Sequence, residues 1–336
     1  MSISKQPLLQ IKNVCVDYVT DNGNARAVNH VSLDIHPGET VGLAGESGCG
    51  KSTLAFAIAN LHNAPALISD GEILFEGRDI LKMNDAQLRQ FRWNEAAMVF
   101  QSAMNSLNPV ITIGDQLIDV VLAHKDVSKA EAYAKGEEML KIVGIHPSRM
   151  KSYPHQLSGG MRQRVVIAIA LILRPKLIIM DEPTTALDVV VERDIMDELY
   201  QLKDQFGFAI LFISHDLGLM GEIADRIGVM YAGKLVELGN AEEILHHAKH
   251  PYTQGLVRSF PTIHGPKVRL EGIPGNPLNL LDTPNGCYFQ ARCSQCVDRC
   301  KTEDPTLIQV DTAPARLVAC HHVQPQREAI TEEVPA

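Results

Sequence analysis

Gly45-Glu46-Ser47-Gly48-Cys49-Gly50-Lys51-Ser52 is the stretch on which the fold turns, because it fits the pattern G-x-x-x-x-G-K-[ST]. An apolar run, Thr40 to Ala44, precedes it, and a helical pattern from Lys51 to Leu61 follows. Strand, Gly-rich turn and helix is the setting this motif requires. The glycines let backbone N–H groups close around phosphate oxygens, and the helix N-terminus adds partial positive charge. Lys51 is expected to reach the β- and γ-phosphates and Ser52 to bind Mg²⁺. The alternative, an ordinary Gly-rich turn, does not account for the full match in this context.

A Mg-nucleotide also needs a carboxylate. Leu177 to Met180 is a short apolar run ending at Asp181-Glu182. Asp181 is expected to hold Mg²⁺, and Glu182 to polarise the attacking water. His215 follows another apolar run, Ala209 to Ile213. It is placed to contact the γ-phosphate and keep the water in line.

Further out, Leu9 to Tyr18 and Val31 to Ile35 alternate apolar and polar residues and predict antiparallel strands. Ala97 to Phe100 predicts a buried strand. Arg226 to Tyr231 and Leu235 to Leu238 predict a hairpin around Ala232-Gly233-Lys234. Strands alternating with helices predict a parallel α/β core. Residues 102 to 157 interrupt the alternation with helical periodicity from Ile113 to Val143, broken near Lys125 to Ser128, and predict an inserted helical subdomain. Gly160 to Leu173 predicts an apolar helix.

The chain has 336 residues, 45% of them hydrophobic, and a net charge of −9. That balance argues against a broad nucleic-acid surface. The longest apolar run, Val165 to Leu173, is far short of the roughly 20 residues a membrane-spanning helix needs. Met1 to Gln10 lacks the features of an export signal. Ten of the 18 prolines lie after residue 250, and five of the seven cysteines between Cys287 and Cys320. The expected division is a nucleotide-binding domain over 1–250 and a Cys-rich extension over 251–336.

Leu157-Ser158-Gly159-Gly160-Met161-Arg162-Gln163-Arg164 resembles the signature motif of ABC ATPases. Gln101 resembles that family's Q-loop, Thr185-Ala186-Leu187-Asp188 its D-loop, and His215 its switch histidine. Met161 stands where the wider superfamily has Gln, and Thr185 where Ser is common. Ser106-Leu107-Asn108-Pro109, His250-Pro251-Tyr252-Thr253 and Ile273-Pro274-Gly275 resemble the oligopeptide-importer branch. The resemblance implies an ABC ATPase core with an antiparallel β subdomain and an α-helical subdomain. It implies an ATP site of Tyr18, Gly45, Glu46, Ser47, Gly48, Cys49, Gly50, Lys51, Ser52 and Thr53. Glu182, His215 and Gln101 would be catalytic, and Ser52, Gln101 and Asp181 would serve Mg²⁺. Leu157, Ser158, Gly159, Gly160 and Met161 would touch ATP held by a second ATPase subunit, head to tail, with Asp188 nearby. The other implied partners are two membrane permeases and an extracytoplasmic binding protein, at the inner face of the cell membrane. Peptides are the expected solute, with oligosaccharides or nickel as alternatives. A non-transport ABC protein of DNA repair or translation is an alternative of another class.

For the cysteines, disulfides conflict with the absence of an export signal. Cys293-x-x-Cys296 fits half a zinc site, to which His321 or His322 could add. The resemblance favours a [4Fe–4S] cluster on Cys287, Cys293, Cys300 and Cys320, with Cys296 a possible substitute. Cys49 lies at a helix N-terminus, where a thiol pKa can fall, but is expected chiefly to fit there as a small residue. Cys15 is expected in the core. His246 and His247 are expected on a solvated face.

Overall fold

The computed structural model describes residues 6–101, 106–183, 188–259, 272–312 and 315–324. Two sheets organise the chain. The first is antiparallel and contains β1 (Leu9–Thr20), β2 (Gly23–Ile35), β4 (Ala66–Phe75) and β5 (Arg78–Asp79), in the order β2-β1-β4-β5. The second has the order β11-β12-β10-β9-β3-β8-β7-β6. Its central strands β3 (Thr40–Ala44), β8 (Ala209–Ile213), β7 (Leu177–Asp181) and β6 (Ala96–Val99) are parallel neighbours, and β9 (Arg226–Tyr231) joins β3 on the other side, also parallel.

The continuous apolar runs of β3, β7 and β8 are explained by burial on both faces. Alternate residues serve two separate cores. Leu177, Ile179, Leu211 and Ile213 pack with Leu43 under the antiparallel sheet and α1 (Lys51–Ile58). Ile178, Met180, Ile210 and Phe212 pack against the helices of the other face. Those helices are α5 (Gly159–Leu171) and α6 (Val189–Phe206), with α3 (Ile113–His124) and α4 (Lys129–Ile142) beside α5. The expected break between α3 and α4 is a capping box, in which Ser128 Oγ accepts from the Glu131 N–H and Glu131 reaches back to the Ser128 N–H.

The rest of the chain departs from the simple alternation. β2 starts at Gly23, eight residues before the alternating stretch, and His30, at a positive φ of 49°, lies where the pairing with β1 shifts register between Val14 and Val16. The short α2 (Asp85–Phe91) was not marked by its periodicity, nor was β4. α6 was not marked either, although Ile195, Met196, Leu199 and Leu202 are buried along it at helical spacing. After β8 come α7 (Leu217–Ile223), β9 and β10 (Lys234–Asn240), turning through Ala232 and Gly233, both at positive φ. Then follow α8 (Ala241–His247), α9 (Pro251–Arg258), α10 (Asp298–Thr302), β11 (Ile308–Thr312) and β12 (Ala315–Val318). β12 pairs antiparallel with β10, so the Cys-rich segment adds two strands to the main sheet.

That seam is ionic. Arg316 is 1% exposed and donates to Glu237, which is fully buried, at 2.6 Å. Arg316 also donates to Glu243 and to the His247 carbonyl. Glu237 accepts the N–H groups of Lys249 and His250 as well. A buried pair this fully bonded satisfies the condition under which its attraction repays desolvation.

Candidate active site

Four loops meet because their strands are neighbours running the same way. β3 leads into residues 45–50, β7 ends at Asp181, β8 leads to Ser214 and His215, and β6 to Gln101. Ligands of open α/β sheets bind beyond such carboxyl ends. Residues far apart in sequence thereby form one site.

The turn at 45–50 is held from outside. Gly50 has φ +106°, and a Cβ there would lie 2.2 Å from the Ala27 carbonyl oxygen, so only glycine fits. The Gly233 N–H donates to the Cys49 carbonyl at 2.9 Å, which ties the β9–β10 turn to the loop. Lys51 is buried, and its ammonium donates to the carbonyls of Gly45 (2.8 Å) and Glu46 (3.0 Å). Those bonds occupy the lysine within the loop itself. Cys49 is buried too, and its thiol is pushed up by that burial, although Lys51 nearby pulls the other way. Desolvation therefore overrides the helix N-terminus. The fit of a small residue is the reading that stands.

Ser52 Oγ donates to Asp181 Oδ1 at 2.9 Å. Asp181 is 2% exposed, and burial raises its pKa against the Ser52 hydrogen bond. Glu182 turns the chain at a positive φ of 46°, and its N–H donates to the Ile213 carbonyl at 2.8 Å. Gln101 Nε2 donates to Glu182 Oε2 at 2.8 Å, and His215 Nδ1 lies 3.6 Å from Glu182 Oε1. The three residues expected to be catalytic thus meet, Gln101 and His215 flanking the Glu182 carboxylate. A strained backbone at such a residue is typical of active sites. Tyr18 is half-buried, its hydroxyl 3.4 Å from Thr53 Oγ1, beside the loop.

The signature segment occupies the start of α5. Ser158 is exposed and caps the helix, its Oγ accepting from the Met161 N–H at 3.3 Å, while Leu157 is buried beneath. One turn in, Gln163 is fully buried, and its amide has no hydrogen-bond partner among the described residues. Asp188 is the N-cap of α6, accepting from the Val191 N–H at 3.0 Å; Thr185, Ala186 and Leu187 lie outside the described residues.

In the extension, the five cysteines form one group. Cys287 interacts electrostatically with Cys300, Cys320 and Cys293, and burial pushes its thiol up to about 11. Cys320 interacts with Cys293 and Cys300, and Cys296 neighbours Cys300 and Cys293. Among the described residues, no three of these sulfurs lie within 4.8 Å of one another. The ring nitrogens of His321 and His322 face the carbonyls of Glu303 and Gln295. His246 and His247 are exposed on α8, as expected. Cys15 is buried.

Sequence reasoning missed one contact at the site. Arg292, in the extension, forks onto Glu46 of the phosphate loop, with N–O distances of 2.7 and 2.8 Å. No local pattern could reveal it, since 246 residues separate the two.

These features define a P-loop ATPase of the cassette kind. The ABC transporter family matches residues 28–185, and the family described as oligopeptide/dipeptide transporter, C-terminal region, matches 236–300. Among relatives, the oligopeptide transport ATP-binding protein OppD of Escherichia coli (strain K12) is 44% identical over 93% of this chain and 92% of its own. The dipeptide transport ATP-binding protein DppD of Bacillus subtilis (strain 168) is 40% identical over 95% of this chain and 90% of its own. A bacterial ABC transporter cassette solved as a dimer superposes with a TM-score of 0.62 at 29% identity, covering 69% of this chain and 98% of that one. The same cassette has been seen in a post-hydrolysis state bound to ADP and Pi. The chain belongs to the ABC transporter ATPase family, in the group that carries the oligopeptide/dipeptide transporter C-terminal region. It is an ATPase, and no helix among the described residues is long and apolar enough to cross a membrane.

Proposed function

We propose that this chain is the energy-coupling subunit of a binding-protein-dependent importer of di- or oligopeptides. The observation that carries the reading is the near full-length match to peptide-transport ATP-binding proteins, extension included. No observation favours oligosaccharide, nickel or a role in repair or translation.

In this reading the loop amides of 45–53 and Lys51 hold the phosphates, and Tyr18 stacks on the adenine. Lys51 exchanges its two carbonyl acceptors for phosphate oxygens. Ser52 and Asp181, with Gln101, suit Mg²⁺, being hard oxygen donors in a site where burial makes an unpaired carboxylate costly. The ion neutralises developing phosphate charge when bound. Glu182 accepts the proton of the attacking water, oriented by Gln101 and His215.

The exposed start of α5 supports pairing with a second ATPase subunit, whose ATP would meet Ser158, Gly159, Gly160 and Met161 and the α5 N-terminus. Asp188 would lie at that junction. Just after the Q-loop, Val110 is 77% exposed and Ile111 38%. Apolar side chains left outside at that point suit the permease contact expected there, on the inner face of the membrane. The division of the chain at about residue 250, with the helical subdomain at 102–157, remains our assignment.

For the cysteines we infer a [4Fe–4S] cluster on Cys287, Cys293, Cys300 and Cys320, with Cys296 as a spare ligand. Thiols raised by burial suit a cation that reverses the shift.

The test is co-expression with the two permease subunits. The complex should copurify in detergent, and its ATPase rate should rise with peptide-loaded binding protein. Recovery with ribosomes or DNA instead would overturn the reading. Anaerobically purified protein should be brown, with broad absorbance near ~400 nm; colourless protein with stoichiometric zinc would reverse the cluster assignment.

A further inference from the structure

Two local motifs, His250-Pro251-Tyr252-Thr253 and Ile273-Pro274-Gly275, have no part in the chemistry above. The structure brings both to a single residue of the phosphate loop. The Tyr252 hydroxyl accepts the Glu46 N–H at 2.8 Å. Tyr252 is itself fully buried, on α9, where His250 Nδ1 caps the helix by accepting the Tyr252 N–H. The Ile273-Pro274 carbonyls accept from Arg292, Pro274 from Nε at 2.8 Å and Ile273 from a terminal nitrogen at 3.3 Å. Gly275, at φ +80°, leaves room for the Arg292 side chain, whose Cγ would lie 3.1 Å from a Cβ there.

Arg292 is therefore fully engaged. Its side chain is 5% exposed, and its guanidinium lies over the rings of Tyr231 and Phe289. Its two terminal nitrogens also donate to the two carboxylate oxygens of Glu46. A bidentate Arg–carboxylate pair fixes orientation as well as distance. Glu46 is thereby held at three points: its carboxylate by Arg292, its N–H by Tyr252 and its carbonyl by Lys51. Only the third must be given up when Lys51 turns to phosphate.

We propose that Arg292, seated by the Ile273-Pro274 carbonyls and backed by Tyr252, is a positioning residue for the phosphate loop. The extension would thus hold the loop open for ATP while Lys51 changes partners. Cys293 directly follows Arg292, so the cysteine group and the nucleotide site share one anchor. This inference rests on ATP binding at the loop.

The test measures MgATP affinity of the full chain by calorimetry, with Glu182→Gln in every variant to block hydrolysis. Arg292→Gln should weaken binding about tenfold or more, as expected for a lost hydrogen bond to a charged group, and Arg292→Lys by less. Tyr252→Phe keeps the ring and removes only the acceptor; it should weaken binding several-fold with a near-parental melting temperature. Adding Arg292→Gln to Glu46→Gln should cost little more than either alone, because the arginine acts through that carboxylate. Unchanged affinity with a lowered melting temperature, or fully additive losses, would overturn the proposal. A parent chain that fails to bind MgATP would instead overturn the proposed function, and this inference with it.

Discussion

At the carboxyl ends of β3, β6, β7 and β8, the polar groups are held loosely. His215 is 67% exposed, Glu182 touches Gln101 and His215 at its carboxylate, and Lys51 rests on two carbonyls. At the β10–β12 edge of the same sheet, Arg316 and Glu237 are both almost fully buried, and every strong donor of the arginine is used. The difference is what the proposed function would require. Groups that must exchange partners with ATP during turnover need contacts weak enough to break. Groups that fix the extension to the cassette need contacts that outlast the cycle, and burial makes breaking them costly.

The largest effect should come from the loose side. Glu182→Gln should lower the ATPase rate of the assembled complex by about 10²–10⁴-fold, with ATP binding and melting temperature nearly unchanged. Steady-state turnover and a thermal melt check both halves. A large loss of stability would erase the contrast between the two sites.

On the locked side the effect should fall on stability. Arg316→Met leaves Glu237 buried without its cation and should cost about 3–5 kcal/mol. Denaturant unfolding of the full chain measures it. Adding Glu237→Gln, which removes the buried charge and keeps one of the two acceptors that serve the Lys249 and His250 N–H groups, should recover part of the loss. A neutral Arg316→Met would show that the seam does not depend on the ion pair.

A smaller effect should appear with pH. Burial lowers the His250 pKa to about 4, against a weaker backbone hydrogen bond with Ala319 that raises it. The unfolded imidazole titrates near about 6.5. The unfolded state therefore takes up the proton first as pH falls, and the contribution present above about pH 6.5 is lost progressively toward pH 4. His250→Asn, which can still cap α9, should flatten that part of the melting-temperature profile. Identical profiles for the two proteins would place the acid sensitivity elsewhere.

The legible parts of this chain were those where chemistry sits in adjacent residues. The phosphate loop, Asp181-Glu182 and the capped start of α5 each occupy under ten residues, with the strand or helix beside them. β4 was missed because it runs Ala-Leu-Ile-Ser-Asp-Gly-Glu-Ile-Leu-Phe, with Gly71 and exposed residues interrupting the alternation. Gly71 fits there because the chain passes close to Asn13 and Val14. The burial of the cysteine at the phosphate loop was not legible for a similar reason. Its place at a helix N-terminus is visible in sequence, whereas its burial, which reverses the sign of the shift, depends on Met230 and the rest of the core packed around it.

The amino-acid sequence by itself determined the phosphate loop, the acidic pair and the α/β order, since spacing along the chain fixes local backbone and which face each residue presents. The tertiary structure alone decided that β12 joins β10, that Gln101 and His215 from separate loops flank Glu182, and that Arg292 reaches Glu46. Each of these depends on parallel strand order or on burial, and neither is a property of neighbouring residues.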